Sequence, residues 1–305
     1  MLNIHKKYDK KTSVYQYKIE KEVNLCKHMF YLGDVSECLK KIEPNTIDLV
    51  FTSPPYNVGI NYERHHDKMS YQEYLEWLTA VIEELYSKTK DDGRFAINIP
   101  SITADNEYKP LFMDVYNIAQ KIGFKIRNDI LWFKHQVSKR TAWGSFQSPS
   151  DPYVVQPYEF ILVFNKKYKK HKGNKENIDI TRDEFIKFSL GFWDIKPETR
   201  KEILNACPAP FPELLVYRIL KFYTYKNDLI LDPFGGSGTT SYVAAILGRR
   251  SIYIDNSQKS FNFAVKRVSK VLKENFEIDE VIKNYQMYEK EEFDNQPTLF
   301  EKGNG

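Results

Sequence analysis

Cysteine is scarce. Cys26, Cys38 and Cys207 are the only three in 305 residues, too few for a disulfide scaffold. None is spaced as C-x-x-C, which argues against a zinc site built from thiolates. An excess of one charge is missing too: Lys plus Arg total 45 and Asp plus Glu 41, a net charge of +4. So small a surplus defines no partner, and any nucleic-acid surface has to come from local clustering. Long apolar runs are absent, Ile161-Leu162-Val163-Phe164 being far too short to span a bilayer. The stretch from Met1 to Asp9 turns polar where a secretory leader needs its apolar core. The expectation is a cytoplasmic protein with no membrane partner. What is abundant is aromatic: 15% Phe, Trp and Tyr within 42% hydrophobic residues, which excludes disorder over most of the chain.

Residues 1–24 are charged and aperiodic and read as a poorly ordered lead-in. Beyond them, short apolar strands alternate with amphipathic stretches. Strands are expected at 29–32, 46–51, 94–99, 124–126 with 130–133, 160–164, 228–231 and 251–255. Helices are expected at 36–42, 71–86, 111–121, 213–222, 239–247 and 260–273, with a turn at Asp91-Asp92-Gly93. That alternation predicts an α/β fold, a mostly parallel sheet with helices on both faces. The loop from Lys134 to Gln156 is long for a mere connection, as functional loops are. Residues 165–206 break the pattern, opening on a basic run in which six of the ten residues from Lys166 to Lys175 are lysine. Taken alone, such a run is a solvated face. Residues 276–305 form a polar, acidic tail.

Two loops carry chemistry. In Asp232-Pro233-Phe234-Gly235-Gly236-Ser237-Gly238-Thr239-Thr240 a strand runs into glycines that open a helix, so backbone can approach a ligand closely and amide donors face it. No Gly-Lys-Ser/Thr follows, and Thr239-Thr240-Ser241 stands where a dinucleotide fingerprint needs its third glycine. Asp255 ends the next strand, where a carboxylate can accept from ribose hydroxyls. An adenosine-like cofactor without a pyrophosphate fits; a tight turn plus a solvated aspartate is the plainer alternative. The second loop is Thr52-Ser53-Pro54-Pro55-Tyr56-Asn57. Its two prolines stiffen the backbone and remove amide donors, leaving a hydroxyl, carbonyls and an aromatic face. That set suits an amino group on a planar ring, although a lone Ser-Pro-Pro-Tyr is also an ordinary strand-ending turn. Both loops follow strands of one parallel sheet and so share its carboxyl edge, an arrangement suited to group transfer onto an exocyclic nitrogen.

Over residues 29–273 the sequence resembles the amino-group DNA methyltransferases dependent on S-adenosylmethionine. The resemblance rests on Thr52-Ser53-Pro54-Pro55-Tyr56, on Asp232 to Thr240, and on Pro208-Ala209-Pro210-Phe211-Pro212-Glu213-Leu214. The Pro-Pro loop precedes the glycine loop, the circularly permuted order of the beta class. The resemblance implies a Rossmann-like methyltransferase fold with a catalytic half at 25–164, a small target-recognition region at 165–206 and a cofactor half at 207–275. It implies that Asp232, Pro233, Phe234, Gly235, Gly236, Ser237, Gly238 and Thr239 hold the methionine portion of the cofactor, flanked by Phe211 and Pro212. Asp255 would bind the ribose, and Asp34 would lie near the adenine or its sugar. Ser53 and the Pro54 carbonyl would accept from the target amine beside Pro55, and Tyr56 would stack on a flipped base. Lys166, Lys167, Lys169, Lys170 and Lys172 would contact double-stranded DNA. Direct transfer needs no metal and no covalent enzyme intermediate. Serine at the first loop position, where many adenine enzymes of the family carry Asp, leans toward cytosine N4 over adenine N6. A separate restriction endonuclease is the implied partner, and the chain would be a monomer or homodimer. A zinc deaminase lacks its H-x-E and P-C-x-x-C signatures here, and a DNA-binding module without catalysis would not keep both loops intact.

Overall fold

Ile47-Asp48-Leu49-Val50-Phe51-Thr52 is apolar toward both sides, as a strand covered on two faces must be. It forms β3 (Ile47–Thr52), every residue buried. The computed structural model describes residues 20–56, 69–100, 109–134, 145, 147–152, 154, 156–273 and 277–294. Most of the long loop and all of 1–19 lie outside the described residues.

Around β3 the strands are β1 (Lys21–Leu25), β2 (His28–Leu32), β4 (Thr89–Pro100), β5 (Lys125–Phe133), β6 (Tyr158–Asn165), β7 (Phe192–Asp194), β8 (Leu229–Asp232) and β9 (Arg250–Asp255). They form one nine-stranded sheet in the order β1-β2-β9-β8-β3-β4-β6-β5-β7. Only β1 and β6 run antiparallel to their neighbours.

Alternate side chains feed two cores. Val50, Phe95, Ile97 and Leu231 point to the face covered by α1 (Val35–Leu39), α2 (Tyr71–Lys88) and α3 (Leu111–Ile122). Leu49, Phe51, Ala96 and Ile230 point to the other, which carries α4 (Arg182–Phe188), α6 (Glu213–Tyr223) and α7 (Thr239–Ile246). On that second face α8 (Gln258–Val271) packs Phe261, Ala264 and Val268 against Phe30 and Tyr253. The helix starts are encoded locally. Ser70 and Glu73 close a capping box on α2, and Thr181 and Glu184 one on α4. Among the described residues no helix is long and apolar enough to cross a membrane.

Several expectations need correction. Residues 21–24, assigned to the lead-in, belong to β1, paired with β2. Asp91-Asp92-Gly93 is not a turn but part of β4, where the β3–β4 register shifts. Segment 165–206, expected as a small target-recognition region, is built into the main sheet: β7 joins it beside β5, Trp193 is fully buried, and α5 (Lys201–Ala206) runs back to the carboxyl edge. The tail continues as a helix, α9 (Ile278–Asp294), with Tyr285 buried.

Candidate active site

From β3 the chain crosses by α2 to β4 on one side, and from β8 by α7 to β9 on the other. β3 and β8 are neighbours, so the topological switch point falls between them, where doubly wound sheets bind ligands beyond their carboxyl ends. The Pro-Pro loop leaves β3 there and the glycine loop leaves β8. One hydrogen bond joins their roots: Thr52 Oγ1 donates to Asp232 Oδ1 at 2.8 Å. Thr240 Oγ1 donates to Asp232 Oδ2 at 2.7 Å and the Phe234 amide to Oδ1 at 3.2 Å. Asp232 is 2% exposed. Burial pushes its carboxyl up to about 6, against the opposing pull of Thr240, Thr52 and the Phe234 amide, with the Asp255 charge adding to the push.

Between the loops lies a cavity of about 370 Å³, within the range of small-molecule sites. Asp34, Ser53, Pro54, Pro55, Tyr56, Phe211, the stretch from Asp232 to Ser237, Thr239 and Asp255 all line it. Pro212 and Gly238 do not. Pro212 caps α6. Gly238 opens α7 at φ 71°, and a Cβ there would come within 2.5 Å of Ala264 Cβ, so its smallness serves the packing of α7 on α8. Gly236 takes φ +49° and turns its amide onto Asp255 Oδ2 at 2.8 Å, while the Ser257 amide holds Oδ1 at 2.7 Å. Asp34 is fixed as the cap of α1, accepting from the Ser36 amide at 2.9 Å. Two carboxylates are thus oriented by backbone donors at the cavity wall. Phe211 is held by stacking on Phe51, centroids 4.8 Å apart and 9° from parallel.

Sequence reasoning misses part of the wall. Trp77, on α2 but off its apolar stripe, faces Phe234 at 5.6 Å. Leu204, Asn205, Ala206 and Cys207 also line the cavity, from a stretch without periodicity to mark them. A second omission lies under Tyr56. Its hydroxyl is 2.6 Å from Ser53 Oγ and 3.3 Å from Glu159 Oε2, and it receives Asn98 Nδ2 at 2.8 Å. Asn98 also donates to Glu159 Oε2 at 2.6 Å, and Lys134 Nζ to Oε1 at 2.6 Å. A polar Asn98 inside the buried strand 94–99 is the one signal the sequence offered; Glu159 carries none.

The basic run is on the other side of the molecule. β6 is antiparallel, so Asn165 pairs with Arg94 and the chain emerges at the amino edge, opposite the cavity. Lys166, only 6% exposed, donates to the Thr89 carbonyl at 2.7 Å. Lys167 pairs with Asp91 at 3.0 Å, and Lys169, Lys170 and Lys172 are exposed on that same edge. The lysines expected to contact DNA thus lie on the edge of the sheet opposite the cavity. His171 lies with Asp48 and Asp228, ligand atoms within 4.8 Å of one another. Its Nε2 meets Asp228 Oδ2 at 2.8 Å, while Lys90 Nζ and the Leu229 amide occupy Asp48.

Residues 47–266 match the model of a DNA methylase family. The type II methyltransferase M.MjaVI of Methanocaldococcus jannaschii is 44% identical over 161 residues, 52% of this chain and 82% of that protein. M.ScaI of Streptomyces caespitosus is 28% identical over 249 residues, 79% of this chain and 81% of its own. A protein of Thermus thermophilus described as a DNA modification methylase, solved with S-adenosyl-L-methionine, superposes with TM-score 0.64 at 26% identity, covering 82% of this chain and 94% of that one. The cytosine-N4-specific PvuII DNA methyltransferase shares the fold, with TM-score 0.63 at 20% identity over 90% of this chain and 94% of that one. With more than half its length matched by the family model, the chain belongs to the N6/N4 DNA methylases.

Proposed function

We propose that the chain methylates the exocyclic amino group of a base flipped out of double-stranded DNA, with S-adenosylmethionine as methyl donor. The preferred target is cytosine N4, and the biological setting is the modification arm of a restriction–modification system. The observation that carries the reading is the Thr52–Asp232 hydrogen bond, which makes one cavity of two loops 180 residues apart in sequence. The donor set suits the cofactor: carboxylates of Asp34 and Asp255 for ribose hydroxyls, the apolar Phe211 and Phe234 for its planar and aliphatic parts, and no glycine-lysine grip that a polyphosphate would need. Bound there, S-adenosylmethionine supplies a methyl group activated by its sulfonium charge.

The chain's own residues handle the amine. Ser53 Oγ and the Pro54 carbonyl accept its two hydrogens, which holds the nitrogen toward the glycine loop and favours a pyramidal, more nucleophilic geometry. Holding the nitrogen in line is itself a large part of such catalysis. Tyr56 lends its ring face, and stacking of about 1–3 kcal/mol offsets part of the few kcal/mol that flipping costs. Cytosine is favoured by serine, rather than aspartate, at position 53. The type II methyltransferases among the relatives support the restriction–modification setting.

The test is methyl transfer from labelled S-adenosylmethionine to double-stranded DNA, followed by digestion to nucleosides. N4-methylcytosine is expected. N6-methyladenine would keep the chemistry and overturn the base assignment, and unlabelled DNA would overturn both. Sequencing methylated DNA from expressing cells gives the recognition site.

A further inference from the structure

Tyr56 stands in the middle of a hydrogen-bonded chain that starts at Ser53 on the cavity wall and ends on Glu159, a carboxylate contributed by β6. Protons can be counted along it. The Asn98 amide is buried, 1% exposed, and spends both N–H groups, one on Tyr56 Oη at 2.8 Å and one on Glu159 Oε2 at 2.6 Å. It has no reversed alternative, because Oδ1 would then face the carboxylate across 2.6 Å. Tyr56 has a single proton to give. Burial, and then the Glu159 charge, hold its phenol well above the ordinary tyrosine range, so that proton stays on the oxygen.

The proton has three acceptors within reach, Ser53 Oγ at 2.6 Å, Glu159 Oε2 at 3.3 Å and the neutral Asn98 carbonyl at 3.4 Å, and the first two compete for it: the carbonyl is the most distant and, unlike the carboxylate, uncharged. The two choices present opposite faces of Ser53 to the cavity. If Tyr56 donates to Ser53, the serine hydrogen turns outward and meets the hydrogens of an incoming amine. If Tyr56 donates to Glu159, Ser53 donates to Tyr56 and keeps its lone pairs for the amine. An ionised carboxylate can only accept, and bonds to it are roughly twice as strong as neutral ones. Lys134 Nζ pairs with the other oxygen at 2.6 Å. The shorter Ser53–Tyr56 contact is compatible with either direction, so the carboxylate decides.

We propose that Glu159 is a positioning residue that sets the direction of this chain and so makes Ser53 an acceptor toward the target amine; the inference rests on the amino-methyltransferase reading above. The amide of Glu159→Gln has the same shape but cannot keep every bond: with its oxygen toward Tyr56 its amine faces Lys134, and with its amine toward Tyr56 it donates to Oη but meets the Asn98 N–H, so either way the pull of the carboxylate on the Tyr56 proton is lost. Expected in methylation kinetics is a kcat lower by about tenfold or more, the scale of one misdirected hydrogen bond. Dissociation of S-adenosylmethionine and the thermal midpoint stay near wild type. In a Ser53→Ala background, which has no serine proton to direct, Glu159→Gln costs no further activity. A kcat within twofold of wild type, or losses that multiply in the double variant, would overturn the proposal. A readout independent of activity is the ¹³Cζ resonance of Tyr56 in tyrosine-labelled protein, assigned with Tyr56→Phe. It should move in Glu159→Gln, and an unmoved resonance removes the contact. If the wild-type enzyme methylates no DNA while the resonance still moves, the functional reading has failed and the hydrogen-bonded chain has not.

Discussion

Asp232 does more than line a cavity. With Thr52 and the Phe234 amide on one carboxylate oxygen and Thr240 on the other, it fixes the end of β8 to the end of β3 and to the first turn of α7. Thr52→Val keeps the side-chain shape and deletes one donor. The variant is expected to lose about 1–3 kcal/mol of stability, the cost of a buried acceptor left short of a partner. Methyl transfer should fall with it, because the two loops lose their shared anchor. Urea unfolding monitored by tryptophan fluorescence gives the first number; a midpoint equal to wild type would show that the bond contributes nothing. At this scale the sequence spoke only through motifs. Asp232 was legible as a member of the glycine loop, yet its brace to Thr52 was not, since nothing along the chain says which residues 180 positions apart will meet. Glu159 and Asn98 belong to no motif and become visible only when β4 and β6 pair.

At the scale of elements, most of the strands that were legible are buried on both faces, and β1 shows why a marginal strand was not. Its apolar face is only Val23 and Leu25, half-buried at the sheet margin, and two residues are too short a period to mark a strand. Strand direction was equally silent, and the antiparallel course of β6 moved the basic run from the expected DNA face to the amino edge. Replacing Lys166, Lys167, Lys169 and Lys170 by glutamine should therefore leave the slope of log binding constant against log salt unchanged, while lowering stability through the buried Lys166. A flatter slope would return these lysines to the DNA surface. His171 makes this edge sensitive to pH. Its side chain is 3% exposed between Asp228, Asp92 and Asp48, with Lys90 on Asp48 and Arg94 nearby. Burial alone would lower its pKa, but the Asp228 hydrogen bond and the Asp228 and Asp48 charges outweigh burial and Arg94 and raise it above 6.5. The sign follows: the contribution is complete below the unfolded value and is lost as pH rises through the folded one. The urea midpoint of the wild type should fall from about pH 6 to about pH 9 more steeply than that of His171→Gln. Parallel profiles would refute the protonated latch.

Across the whole molecule, the chain beyond the family match is tied back to the cavity through one carboxylate. Glu213, at the start of α6, receives the guanidinium of Arg267 from α8 and that of Arg200, the latter at 2.6 Å. Arg267 in turn donates to Thr239 Oγ1 at 3.0 Å and lies over the Tyr242 ring at 4.2 Å, so the same hub supports the glycine loop. Tyr285 of α9 donates to the remaining oxygen of Glu213 at 2.7 Å and packs its ring against Tyr217 at 5.0 Å. Composition alone marks residues 276–305 as a polar tail; the apolar spacing of Ile278, Val281, Ile282 and Tyr285 is what docks the helix. Two substitutions separate packing from hydrogen bonding. Tyr285→Ala should cost about 3 kcal/mol, as a large buried ring leaves a cavity. Tyr285→Phe should cost about 1 kcal/mol, because Arg267 and Arg200 still neutralise Glu213. Chemical unfolding of the two variants checks both values, and S-adenosylmethionine titration should give the Phe variant an affinity within about twofold of wild type, the scale of a few tenths of a kcal/mol. Equal costs for the two variants would mean that the hydroxyl, not the ring, docks the helix, and a large loss of affinity in the Phe variant would make α9 part of the cofactor site rather than its support.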